Sequence, residues 1–155
     1  MKSEKVHSSF LNHLKYSPKG TYIVSGGADR RLVLYDGKSY DKICEKEDSH
    51  QGGVFGLDWI DEEHFVTVSS DKIIKFWNTK LEEKALIEST TPENMKNPKN
   101  FSNFLVAVKY FKEKIYVANI NGDILVFNNP LNNNSSLSQK FSGNRSKIAT
   151  LDTWS

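Results

Sequence analysis

One segment of this chain returns twice. Ser25-Gly26-Gly27-Ala28-Asp29-Arg30-Arg31-Leu32-Val33-Leu34-Tyr35-Asp36 comes back as Thr67-Val68-Ser69-Ser70-Asp71-Lys72-Ile73-Ile74-Lys75-Phe76-Trp77-Asn78. It returns more loosely as Ala118-Asn119-Ile120-Asn121-Gly122-Asp123-Ile124-Leu125-Val126-Phe127-Asn128. Asp29 and Asp71 are 42 positions apart, and Asp71 and Asn121 are 50 apart. Each unit is a turn followed by a short apolar strand. A unit of this size cannot bury its two faces alone, so the fold has to be an assembly of stacked units.

A period of about 40–45 residues, with an Asp turn leading into an alternating strand that ends in Trp-Asp, marks a WD-repeat β-propeller. The reading is all-β, with about three four-stranded blades plus the first strand of a fourth, an incomplete propeller. In the first repeat the strands are Phe10–Tyr16, Tyr22–Ser25, Arg31–Tyr35 and Lys42–Glu45, with turns at Ser17-Pro18-Lys19-Gly20 and Asp36-Gly37. In the second they are Val54–Trp59, Phe65–Val68, Ile73–Trp77 and a strand near Ala85–Ile87. Ile73, Lys75 and Trp77 face one way, Ile74 and Phe76 the other. Apolar residues on both faces suit a strand held between two neighbours. The third repeat is predicted at Leu105–Phe111, Lys114–Ala118, Asp123–Phe127 and Gln139–Phe141, with a hairpin signal at Asn121-Gly122. Long loops are expected at 90–103, which carries two prolines, and at 128–138, rich in Asn and Ser. The blades are expected at 1–46, 47–89 and 90–142, with the first strand of a further blade at 143–155. Three blades and one strand do not close a ring of four to eight, so further blades are expected.

The charge balance excludes some partners. Twenty-one basic and 19 acidic residues are scattered along 155 positions. That gives no electrostatic case for nucleic acid or an anionic membrane. Cys44 is the single cysteine, so no disulfide forms within the chain, which suits a reducing compartment. No apolar run reaches the length of a membrane span, and the opening Met1-Lys2-Ser3-Glu4-Lys5 is not a signal peptide.

A polar set repeats with the strands. His7 lies seven residues before Leu14, His50 seven before Leu57, and Asn144 seven before Leu151. In a WD repeat such a histidine bonds the turn Asp and links through a Ser or Thr to the strand Trp. A buried carboxylate needs donors, and a buried indole needs an acceptor. The second repeat carries His50, Thr67 or Ser69, Asp71 and Trp77. The first carries His7, Ser25 and Asp29, with Tyr35 in place of Trp. In the third, Asn121 and Phe127 stand where Asp and Trp are usual. His, Ser and Asp are also the ingredients of a hydrolase triad. Recurrence in two repeats favours the structural role, and no enzyme is expected. His13 and His64 read as packing or surface residues, and Cys44 as an outer-strand residue. No metal-ligand or phosphate-loop pattern is present, so no cofactor and no metal is expected.

Tyr35-Asp36-Gly37-Lys38, Cys44-Glu45 and Ser49-His50-Gln51-Gly52-Gly53-Val54-Phe55-Gly56-Leu57-Asp58-Trp59 carry a more specific likeness. With Ser70-Asp71-Lys72-Ile73-Ile74-Lys75-Phe76-Trp77-Asn78 and Asn128-Asn129-Pro130-Leu131, the chain resembles the actin-interacting protein 1 family over about residues 10–154. These are WD-repeat proteins of two seven-bladed propellers. The resemblance places the chain in the later blades of the N-terminal propeller. It implies binding to actin filaments and cofilin, promotion of the disassembly of cofilin-decorated filaments, and a cytoplasmic, cytoskeletal location. Candidate contact loops are Ser17–Thr21, Glu47–Gly53 and Asp61–His64. The alternatives are a general WD-repeat scaffold, or a non-functional truncated propeller whose open faces would include Ile73, Ile74, Phe76, Val126 and Phe127.

Overall fold

The computed structural model describes residues 3–89, 104–132 and 137–142, the last as backbone only. Among the described residues, twelve strands form three separate four-stranded antiparallel sheets, each a meander of consecutive strands. Blade 1 holds β1 (Leu11–Tyr16), β2 (Tyr22–Gly27), β3 (Leu32–Asp36) and β4 (Lys42–Lys46). Blade 2 holds β5 (Val54–Trp59), β6 (His64–Ser69), β7 (Ile73–Asn78) and β8 (Glu83–Glu88). Blade 3 holds β9 (Leu105–Phe111), β10 (Lys114–Asn119), β11 (Asp123–Asn128) and β12 (Leu137–Ser142). The twelve strands predicted for the three blades are present, most of them longer by a residue or two at an end. The loop expected at 128–138 is broken by a 3-10 turn at Pro130–Asn132, and β12 begins at Leu137 rather than Gln139. The loop predicted at 90–103, and Asn144 with the strand predicted after it, lie outside the described residues.

The repeat extends to the irregularities. The first strand of every blade slips register after its first residue, between Leu11 and His13, Val54 and Gly56, and Leu105 and Ala107. Each third strand slips against the fourth just before its aromatic, at Leu34/Tyr35, Phe76/Trp77 and Val126/Phe127. A bulge re-aims the residues on either side of it. Here it turns Asn12 and His13 of β1 toward the next blade, where they bond the carbonyls of Val54 and Phe55 at 2.8 and 2.6 Å.

Blades stack through apolar layers. Val24, Leu32 and Leu34 of blade 1 pack on Leu57, Trp59, Phe65 and Trp77 of blade 2. Val66, Val68, Ile74 and Phe76 of blade 2 pack on Val108, Ile115, Leu125 and Phe127 of blade 3. Trp77 and Phe76, adjacent on β7, thus serve opposite interfaces, because side chains alternate along a strand. The first strands lie closest across each junction, β5 against both β1 and β9. Gly56 permits that approach: a β-carbon there would meet Val68 Cγ2 at 2.6 Å and the Val108 amide nitrogen at 3.0 Å.

The apolar residues that a truncated propeller would leave open are covered. Ile74, Phe76, Val126 and Phe127 are buried, at 0, 0, 3 and 3% exposure, and Ile73 is only half-buried. They sit inside blade junctions or are otherwise covered, so they are not open faces. The exposed large apolar residues lie mostly on blade 1, with Leu14 and Tyr16 on β1 among them.

Candidate functional site

Three turns between second and third strands share one geometry. Arg30, Lys72 and Gly122 each bond back three residues, to Gly27, Ser69 and Asn119, and each has positive φ. In the first two, the Asp just before that residue gathers donors. Asp71 accepts His50 Nδ1 at 2.9 Å, the Gln51 amide at 2.9 Å and the Ile73 amide at 2.9 Å. Asp29 accepts His7 Nδ1 at 2.9 Å, the Ser8 amide at 2.8 Å and the Arg31 amide at 3.2 Å. Burial works against ionisation of both carboxyls. The histidine bonds and backbone amides outweigh it and hold both below the ordinary aspartate value.

The histidines continue inward. His50 Nε2 lies 2.7 Å from Thr67 Oγ1, and the Trp77 indole N–H donates to the same oxygen at 2.8 Å. An indole only donates and a carboxylate only accepts, so the neutral network runs one way: Trp77 to Thr67, Thr67 to His50 Nε2, His50 Nδ1–H to Asp71. Ser69 is not the relay; its hydroxyl accepts the Asp71 amide at 3.1 Å. In blade 1, His7 Nε2 meets Ser25 Oγ at 2.8 Å. Ser25, His7 and Asp29 therefore stand in the order of a hydrolase triad. Ser25 is 1% exposed and closed in by the sheet, so no substrate can meet its hydroxyl. The arrangement is a structural tie.

Blade 3 solves the same problem with a residue the sequence reading missed. Asn119 Oδ1 accepts the amides of Asn121 and Asp123 at 3.0 and 2.9 Å, and its Nδ2 donates to Asp123 at 3.1 Å. Asn119 occupies the register position of Ser69, each paired with the first residue of its blade.

The candidate contact loops fall on two rims. Glu47–Gly53 lies beside the turn at Gly27–Arg31, held by Arg31–Glu47 and Arg30–Asp48 ion pairs and by the Ser49 amide on the Arg30 carbonyl. Ser17–Thr21 and Asp61–His64 lie at the other ends of the strands, and Glu62 joins them. Its carboxylate accepts the Ser17 hydroxyl at 2.6 Å and the Lys19 and Thr21 amides at 2.8 and 3.3 Å. Partial burial opposes its charge. The Ser17 and Thr21 side chains and these amides prevail, pulling the Glu62 carboxyl down to about 2. Asp61 pins its own turn by accepting the Glu63 and His64 amides, both at 2.8 Å, and pairs with His64 Nδ1 at 3.0 Å. Asp58, on β5 between the blades, was also missed. It is bracketed by Lys15 at 3.2 Å and Lys109 at 3.6 Å, and it accepts the Tyr110 amide at 2.8 Å.

Repeated four-stranded blades, their shared bulges and the His–Asp ties define a WD40-repeat propeller fold. The WD domain, G-beta repeat family matches residues 2–36 and 42–78, so two of the blades carry WD40 repeats. The fold superposes on the WD40 β-propeller domain of Doa1 with a TM-score of 0.76 at 18% identity, covering 96% of this chain and 46% of that one. A computationally designed protein, Ika8, superposes at 0.74 and 21% identity, with 42% of its chain covered. In sequence, the chain is 36% identical over 75 residues to WD repeat-containing protein 1 of Mus musculus. It is 37% identical over 79 residues to Actin-interacting protein 1 of Drosophila melanogaster. These matches span 46 and 50% of this chain but only 12 and 13% of the relatives. No helix among the described residues is long and apolar enough to cross a membrane.

Proposed function

We propose that this chain supplies WD blades that bind actin filaments and help disassemble filaments decorated with cofilin. The observation that carries the reading is the 37% identity to a protein named for interaction with actin, over half of this chain. The geometry is compatible with it. Glu62 ties Ser17–Thr21 to Asp61–His64, so two candidate loops form one preset surface rather than two independent ones. A preset surface loses little conformational entropy on binding. The work is mechanical: preferential binding to one filament conformation shifts the filament's equilibrium toward breakage. The proposed unit comprises blades at 1–46, 47–89 and 90–142, with a further strand at 143–155, and acts in the cytoplasm on the actin cytoskeleton.

A general scaffold role is the second reading, favoured by the fold, because propellers host many functions. Cosedimentation with actin filaments, with and without cofilin, separates the two. Pelleting that depends on cofilin supports the actin reading. Folded protein that stays in the supernatant in both conditions sinks it for this chain.

A further inference from the structure

The β10–β11 turn differs in chemistry from its counterparts in blades 1 and 2. It carries Asn121-Gly122 where they carry Asp29-Arg30 and Asp71-Lys72. Of the asparagines in the chain, Asn121 alone precedes a glycine. Asn121 is exposed, and Gly122 has a φ of 90°. The side chain that closes this turn belongs to Asn119, which is 3% exposed. Its Oδ1 takes the Asn121 and Asp123 amides, and its Nδ2 donates to Asp123 at 3.1 Å. Its main-chain carbonyl accepts the Gly122 amide at 3.2 Å.

We infer that Asn121 is a site of spontaneous deamidation, and that the Asn119 cap sets its rate by holding the Gly122 amide. The inference is independent of the actin reading. The Gly122 nitrogen, deprotonated by hydroxide, attacks Cγ of Asn121. The new bond is N–Cγ, the bond broken is Cγ–Nδ2, and ammonia leaves with a proton from water. Water then opens the cyclic succinimide at either carbonyl. One opening gives aspartate. The other routes the main chain through the side chain and gives isoaspartate.

Glycine presents no side chain to block that attack. The other turns lack one requirement or another. Asp29 and Asp71 are carboxylates, poor electrophiles, each engaged by a histidine and two amides, and the residues after them carry long side chains. Asp36-Gly37 has the glycine, but its carboxylate accepts the Lys38 and Ser39 amides, both at 2.8 Å. The Gly37 amide is held on Thr21 at 2.8 Å, a shorter bond than that of Gly122. Gly122 reacts only when its bond to Asn119 opens, so whatever keeps the turn closed governs the rate. Either product adds a negative charge beside Asp123. Isoaspartate also lengthens the main chain by one carbon inside the turn, which separates the Gly122 amide from the Asn119 carbonyl.

The test ages the full chain in mildly alkaline buffer made with oxygen-18 water. Label at Asn121 is read by fragment-ion mass spectrometry. Isoaspartate is read by transfer of a labelled methyl group from S-adenosylmethionine to its free carboxyl, with an isoaspartyl carboxyl methyltransferase as the probe. We expect label at Asn121 before Asn12, Asn78 or Asn119, and isoaspartate with it. Asn119→Ala removes the cap and should speed the reaction at Asn121 at least about fivefold, the factor a lost hydrogen bond supplies. Asn119→Ser restores one acceptor, as Ser69 provides in blade 2, and should fall between. Neither change should alter labelling at Asn78, which controls for general unfolding. Label at Asn12 or Asn78 with none at Asn121 overturns the site. Equal rates in the wild type and both variants overturn control by Asn119.

Discussion

Glu62 of blade 2 accepts the hydroxyl proton of Ser17 of blade 1 at 2.6 Å, across a junction that 45 positions of sequence separate. The same carboxylate takes two amides of the Ser17–Thr21 turn. Glu62→Gln keeps the shape but exchanges one accepting oxygen for a donor. We expect faster amide exchange at Lys19 and Thr21 in this variant, with the strands of both blades unchanged. Unaltered exchange at those two amides would show that the turn holds itself.

The His50 network should be sensitive at its centre. Thr67 Oγ1 is the acceptor for Trp77 and the partner of His50. Thr67→Val keeps the volume and strands both, at a cost of roughly 1–3 kcal/mol. Trp77→Phe removes a donor and leaves Thr67 a free lone pair, so it should cost less for the hydrogen bond. Chemical denaturation of the two variants gives the order.

Close approach of first strands rests on Gly56. Gly56→Val puts side-chain atoms where Val68 and the β9 backbone already stand. Overpacking of this kind costs about 1–3 kcal/mol. Denaturation of the variant should show that loss, with amides of residues 105–110 exchanging fastest. The same change at an exposed strand position such as Leu86, as Leu86→Val, should be nearly silent.

Acid should unfold the chain in two stages. His13 is held below its ordinary value of 6.5, first by burial and then by the nearby Lys15 charge, against the opposing bond to Phe55 and the Asp58 charge. The unfolded chain therefore binds its proton more readily, and stability falls as pH drops below about 6.5. Asp29, Asp71 and Glu62 are lowered as well. Their contribution is complete above the unfolded carboxylate range and is lost as pH falls from about 4.5 toward 2. A pH series of thermal midpoints checks this, and His13→Gln should remove the upper step alone. Persistence of the upper step in that variant would assign it elsewhere.

The strands, the blade count among the described residues and the His7, Asp29, His50 and Asp71 positions were legible because they are local and periodic. An Asp turn and an alternating apolar strand are written in neighbouring residues. Thr67 and Ser69 were both open, since each is a hydroxyl near the end of β6; which one His50 reaches depends on how the connector before β5 folds back over the sheet. Glu62, Asp58 and Asn119 left no such mark. An acidic residue in a turn normally reads as a solvated one, and nothing near Glu62 in sequence points to Ser17.

Faces were the least legible. The alternation on β7 showed that both sides are apolar, but not which sides are covered. Phe76 and Val126, which a truncated propeller would leave open, are buried, while Leu14 and Tyr16, which nothing in the pattern singles out, are exposed. The repeating unit is specified locally, through its period, its turns and the polar residues each turn requires. Tertiary structure alone decided what touches what between units. Junctions join residues about one repeat apart, and no local preference for strand or turn records which neighbour lies on which side of a sheet.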